Sequence, residues 1–559
     1  MPRLSLLLLA LTCLCACHPD PPQYDLIIRN GVLYDGSGKP GFRGDLAIQG
    51  DSIAALGDLG NAKGKVEVDA GGKAVAPGFV NVLSWSTTSL LADGRSQSDI
   101  RQGVTLELMG EGWSMGPLND FMKDYDLKNQ GDIKYDITWT TLSEYLEHLE
   151  KKGVSCNVAS FLGAATTRIH ELRFENRAPT PDEMERMRGL VRQAMEEGAF
   201  GIGSALIYAP DSYAKTEELI ELCKVAAPYG GSYITHMRSE GNRFLEAIDE
   251  VIRIAKEAGI HAEIYHLKAG GKPNWHKMDQ AIAKIDSARA AGINITTNMY
   301  TYVAGATGFD ASMPPAVQEG GIDRWVERLK DLKQRPAIIA AMKANATDWE
   351  NLYYFAGADG VKLLGFKEDS LKYLTGKTLA EAAKLYGTSP EQTIIDLIIK
   401  DHTRIEAAYF LMSEDNVRKQ IKLPYMSFGS DAESSAPEGV FLKSSTHPRA
   451  YGNFARLLGK YVRDEKVIPM EDAIRKLTLL PCENFGIKRR GKLAPGYHAD
   501  VVVFDPEKIQ DHATFEKPQQ YATGVTDVWV NGMQVLKNGE HTGATPGRVV
   551  RGPGYKAKH

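Results

Sequence analysis

The apolar residues of this chain follow two different periods. Near both ends they alternate or run in short β-rich stretches; in the long middle they recur on one side of successive helices. Tyr24 to Val80 reads as a series of strands, and Asp25 to Tyr34 predicts a hairpin turning at Asn30-Gly31. Val528 to Val535 repeats that pattern around Asn531-Gly532, and Ala499 to Phe504 supplies a further strand. Neither end alone has enough strands to bury a face. The expectation is a small β-sandwich built from both termini, over residues 24–80 and 485–559.

Between them, helix and strand alternate. Thr180-Pro181-Asp182-Glu183 is a capping box with proline at the first helical position. The helix it opens runs to Glu197, before a strand over Phe200 to Leu206. Phe244, Ile248, Val251, Ile252 and Ala255 form the apolar stripe of a helix from Asn242 to Ala258. A strand at Ala262 to Tyr265, a helix at Met278 to Ala291 and a strand at Ile293 to Met299 follow. Repeated strand–helix units mean an α/β fold with parallel strands and helical crossovers. So many units favour a (β/α)8 TIM-like barrel over residues 81–484, its later units carrying a helical insertion near 304–407.

Composition and charge narrow the partners. The formal net charge of the 559-residue chain is −5 and no long basic run occurs, which argues against nucleic acid. Arg3 precedes an apolar stretch from Leu4 to Ala16, too short for a membrane-spanning helix and suited to a signal peptide. Leu14-Cys15-Ala16-Cys17 resembles a bacterial lipobox, so residues 1–17 are read as a lipoprotein signal and 18–23 as a tether. Cys17 would carry the lipid, anchoring an exported protein to the cell envelope, on the periplasmic side in a Gram-negative cell. Of six cysteines three lie in that segment, and Cys156, Cys223 and Cys482 are too few and too scattered for a disulfide framework.

In such barrels the chemistry sits where strands end, at their C-terminal face. Three apolar runs end there in a ligand or base: Tyr233-Ile234-Thr235 in His236, Glu263-Ile264-Tyr265 in His266, and Met426 to Ser430 in Asp431. One such histidine is unremarkable in a core, but two with an aspartate point to a metal site. Two imidazoles suit Zn²⁺ and leave positions for water and substrate. The metal would acidify that water, and Asp431 would carry its proton to the leaving nitrogen. Lys268, two residues past His266, would face the same side if the backbone stays extended.

Jointly, Ala76-Pro77-Gly78-Phe79, Gly103-Val104-Thr105, Thr235-His236-Met237-Arg238, His266 to Gly270, Tyr300 to Gly305, Ser430-Asp431-Ala432 and His447-Pro448-Arg449 make the chain resemble a known family. It is the N-acyl-D-amino-acid deacylases, or D-aminoacylases, of the amidohydrolase superfamily. The resemblance spans nearly the whole mature chain. It implies a barrel with a composite β-sandwich, a zinc held by His236 and His266, and Asp431 as catalytic acid and base. It also implies that Lys268, Tyr300 and Arg449 bind the carboxylate of a small-molecule amide substrate.

The chain departs from that family at two points. Where the family has a His-x-His pair after Pro-Gly-Phe, this chain has Leu83-Ser84-Trp85, which cannot ligate a second metal. Where the family has a cysteine after Gly-Val-Thr, it has Gly112. Glu111 is the neighbouring residue and a carboxylate is an acceptable zinc ligand, so Glu111, His236 and His266 are the expected triad for one metal, with Glu107 as fallback. A dipeptidase or another amide hydrolase on the same barrel remains an alternative. So does a barrel kept only as a binding lipoprotein, since fold does not fix function.

Overall fold

The computed structural model describes residues 22–557; the signal segment and Cys17 lie outside the described residues. Eight parallel strands form the barrel: Phe79–Asn81, Val104–Met109, Asn157–Ser160, Gly201–Ala205, Ser232–His236, His261–Ile264, Ile295–Met299 and Met426–Phe428. The third bends at Phe161 and continues as Leu162–Gly163, which pairs with the fourth. The ring closes where Asp431 N donates to Leu83 O at 2.9 Å and Ser84 bridges Ala432 in parallel. Closure buries the residues of every one of these strands except His261, as a barrel wrapped in helices requires.

The helices between strands follow the sequence closely. The Thr180 capping box is present in full, with Pro181 opening the helix Pro181–Glu196. Helix Phe244–Ala258 buries Phe244, Ile248, Val251 and Ala255 and ends at Gly259 in the left-handed region. Cys223 is buried in the apolar cluster on which these helices pack.

Two expectations are corrected. The strand Gln23–Leu33 runs straight through Asn30-Gly31 without a hairpin. It is flanked by Phe42–Gln49 and Lys63–Asp69, and Asn30 bonds to both sides, its N–H to Asp45 and its amide to Asp69. The turn signal is absorbed as a register shift against Phe42–Gln49, between Ile28 and Gly31. At Asn531-Gly532 the same dipeptide does make the hairpin: both residues have positive φ, and Val530 pairs with Met533.

The segment near 304–407 is not wholly helical and adds no barrel strand. It lies between the seventh and eighth strands, which pair directly, and its strands Ala304–Gly308, Val361–Gly365 and Glu406–Phe410 form an antiparallel sheet. The partners lie about 40 to 100 residues apart in sequence, so local periodicity carried no sign of their pairing. This insertion has its own apolar core, including Trp325, Leu363, Ile394 and Tyr409.

The two chain ends meet in one nine-stranded sheet, joined where Ala74–Pro77 pairs with Val501–Phe504. Beyond it the tail runs beside the third barrel strand, with Val158 N donating to Arg548 O at 3.0 Å. Among the described residues no helix is long and apolar enough to cross a membrane.

Candidate metal centre

Each expected donor stands just past a barrel strand. His236 ends the fifth strand; His266 follows the sixth with φ +33°, and Asp431 follows the eighth with φ +49°. Positive φ is uncommon outside glycine, although His and Asp adopt it more readily than most, and such backbone is retained where the surroundings over-determine it. Around His266 those surroundings include Asn298 of the next strand, whose Oδ1 accepts from His266 N at 2.8 Å.

Glu111 enters from the second strand. Its Oε1 lies 2.9 Å from His266 Nε2 and 3.4 Å from His236 Nδ1, and the three donor atoms lie within 4.8 Å of one another. Ligands about 2 Å from one tetrahedral ion stand roughly 3.4 Å apart, so the set fits a single zinc-like cation. All three side chains are buried. Gly112 explains why the carboxylate sits one residue early. It has φ +68°, and a Cβ built there would lie 2.7 Å from that of Ala205. A cysteine at this position would be both strained and crowded. Glu107, the fallback, does not join the group: it accepts from Ser84 at 3.1 Å and belongs to the barrel interior.

Electrostatics agree with a cation site. Burial alone would raise the Glu111 carboxyl, but His266 and His236 outweigh it and hold it well below its ordinary value. Glu240 is likewise buried and likewise held low by His236, Lys268 and His266. Sequence reading missed Glu240. It accepts from Lys268 Nζ at 2.6 Å, lies 3.0 Å from His266 Nδ1, and its other oxygen is 3.5 Å from His236 Nε2. It therefore backs both imidazoles on the side away from Glu111. Its spacing of four residues from His236 was the only signal, and nothing in the periodicity shows the loop folding back.

Asp431 faces this group across the cavity. Burial raises its carboxyl, while Arg449 works in the opposite direction. Arg449 Nη1 is 2.8 Å from Asp431 Oδ2, and the guanidinium lies 4.5 Å from the Tyr300 ring centre. Trp85 Nε1 donates to Asp431 Oδ1 at 3.2 Å and to Glu111 Oε2 at 3.0 Å. Two cations expected to be free for a substrate carboxylate are thus already paired, Arg449 with Asp431 and Lys268 with Glu240. Among the described residues Arg449 Nε has no hydrogen-bond partner, and the Tyr300 hydroxyl contacts Met412 Sδ at 3.5 Å. Arg238, two residues past His236, is bound to Glu250 at 2.8 Å.

These groups line one cavity of about 320 Å³. The insertion forms part of its wall through Gly305, Ala306, Thr307, Arg404 and Glu406. Its volume suits a small molecule rather than a folded polymer.

Comparison with known proteins was consistent along the chain. A model of the amidohydrolase family matches residues 66–536. The D-aminoacylase of Alcaligenes xylosoxydans xylosoxydans is 33% identical over 534 residues, covering 95% of this chain and 98% of that one. A solved D-aminoacylase, described for a binuclear metal centre with one-metal activation and second-metal attenuation, superposes with TM-score 0.78 at 32% identity. It covers 94% of this chain and 100% of its own. An N-acyl-D-glutamate deacylase from Bordetella bronchiseptica, solved with zinc and a phosphonate mimic of the tetrahedral intermediate, gives TM-score 0.78 at 28% identity. That match covers 95% of this chain and 100% of the other.

Proposed function

This chain belongs to the amidohydrolase family, and from that premise we propose that it hydrolyses the C–N amide bond of an N-acyl-D-amino acid or a small peptide, using one zinc ion. The observation that carries this reading is the convergence of Glu111, His236 and His266 on one point, with Asp431 across the same cavity. Its relatives named for D-aminoacylase and N-acyl-D-glutamate deacylase activity support the substrate class.

Glu111 Oε1, His236 Nδ1 and His266 Nε2 would hold the metal. When bound, such a cation supplies an acidified water and a polarised scissile carbonyl. Asp431 takes the proton of the attacking water and returns it to the leaving nitrogen. A buried carboxyl raised from its usual range is suited to that exchange near neutral pH. Lys268 and Glu240 fix the His266 ring from behind, so that Nε2 faces the metal position. Arg449 Nε and the Tyr300 hydroxyl remain to orient a substrate carboxylate beside Asp431.

Cys17 would tether this catalytic domain to the envelope by a lipid. Cys17→Ser should then shift the protein from the membrane fraction to the soluble one without loss of turnover.

The deciding experiment is a hydrolysis screen of N-acetyl-D-amino acids, N-acetyl-L-amino acids and dipeptides, with and without added Zn²⁺. Metal-dependent release of a D-amino acid is the expected result. Preferred cleavage of dipeptides would move the substrate, and no hydrolysis of any of them would overturn the reading.

A further inference from the structure

We propose that Trp85 is a positioning residue standing in for a second cation: its single indole N–H bridges Glu111 and Asp431, limiting the centre to one metal and holding the base. The inference rests on the amide-hydrolase reading for its kinetic part and on geometry alone for its metal part.

Both carboxylates are held at both oxygens. Glu111 turns Oε1 to the two histidines and Oε2 to the indole at 3.0 Å. Asp431 turns Oδ2 to Arg449 at 2.8 Å and Oδ1 to the same indole at 3.2 Å. One hydrogen shared between two carboxylate oxygens is a three-centre bond, charge-assisted on the acceptor side, that ties the two carboxylates to one point.

The backbone puts Trp85 there. Asp431 N donates to Leu83 O at 2.9 Å and Trp85 N to Ala432 O at 3.0 Å, so the two segments are zipped together where the barrel closes. Trp85 and Asp431 are therefore fixed relative to one another, and both line the cavity. A cation placed between Glu111 Oε2 and Asp431 Oδ1 would meet the indole ring. The ring offers a donor and no lone pair, so it satisfies the two oxygens and rejects the ion.

Two variants of the full-length protein test this, each compared with wild type for zinc content, melting temperature, kcat and KM. Trp85→Phe keeps the ring and removes the donor. It should bind one zinc, melt within a few degrees of wild type, and lose roughly 10- to 100-fold in kcat with KM little changed. Trp85→His puts a ligand nitrogen beside the two freed oxygens and should raise the zinc content from one to two per chain. Wild-type kcat in Trp85→Phe, or a loss carried by KM, would overturn the positioning role. One zinc in Trp85→His would overturn the exclusion of a second metal. Should wild type cleave no amide at all, the proposed function fails, while the zinc counts still decide this inference.

Discussion

Glu240 accepts a hydrogen bond from Lys268 at 2.6 Å, and this buried pair lies directly behind the two histidines of the centre. Its placement gives Lys268 a task besides the expected one of gripping substrate: it neutralises the carboxylate that orients His266. A buried ion pair broken on one side leaves an uncompensated charge. Glu240→Gln should therefore weaken zinc binding by roughly 10- to 100-fold while preserving the ligand set. Competition with a chelator of known affinity measures it, and an unchanged zinc affinity would remove Glu240 from the centre.

Glu111 is the ligand on which the one-metal reading depends. Glu111→Ala removes the oxygen that faces both imidazoles, 2.9 and 3.4 Å away. Two histidines alone make a weak site. Zinc content should fall well below one per chain after dialysis, with activity falling in parallel. Retention of a full equivalent would transfer the role to another carboxylate.

How far this was legible beforehand depended on distance along the chain. His236, His266 and Asp431 could be placed because each closes a short buried run, and a strand's end is a local property. Glu111 followed from the family resemblance, which puts a cysteine where this chain has Gly112 and so points to the neighbouring carboxylate. What stayed hidden was set by contacts between remote segments. Glu240 reaches the histidines only because its loop folds back. Trp85 touches Asp431 because strand one meets strand eight, 346 residues later. Asn30-Gly31 misled for the same reason: the strands on either side of it overrule the preference of the dipeptide.

Asp431→Asn tests the base. The amide keeps the shape but only its oxygen accepts, so it can meet Trp85 or Arg449 and not both; no metal ligand is removed, so zinc content should stay at wild type. It cannot take a proton from water, and kcat should fall by roughly 100- to 10,000-fold. Turnover close to wild type would assign the proton transfer elsewhere.

A stability prediction concerns a group outside the cavity. Glu263 is wholly buried in the sixth strand, where Thr296 and Asn298 each donate to it at 2.7 Å. Burial pushes its carboxyl up to about 7, against an ordinary 4.5, despite those donors. The folded state thus binds the proton more tightly than the unfolded chain. Its contribution is fully present below about 4.5 and is lost as pH rises through about 7. Glu263→Gln keeps the hydrogen-bonding shape without the titration. The melting temperature of wild type minus that of Glu263→Gln should therefore fall by several degrees between pH 4.5 and 7.5, both measured with zinc present. A difference that stays flat, or grows with pH, would show that folding does not raise the Glu263 carboxyl.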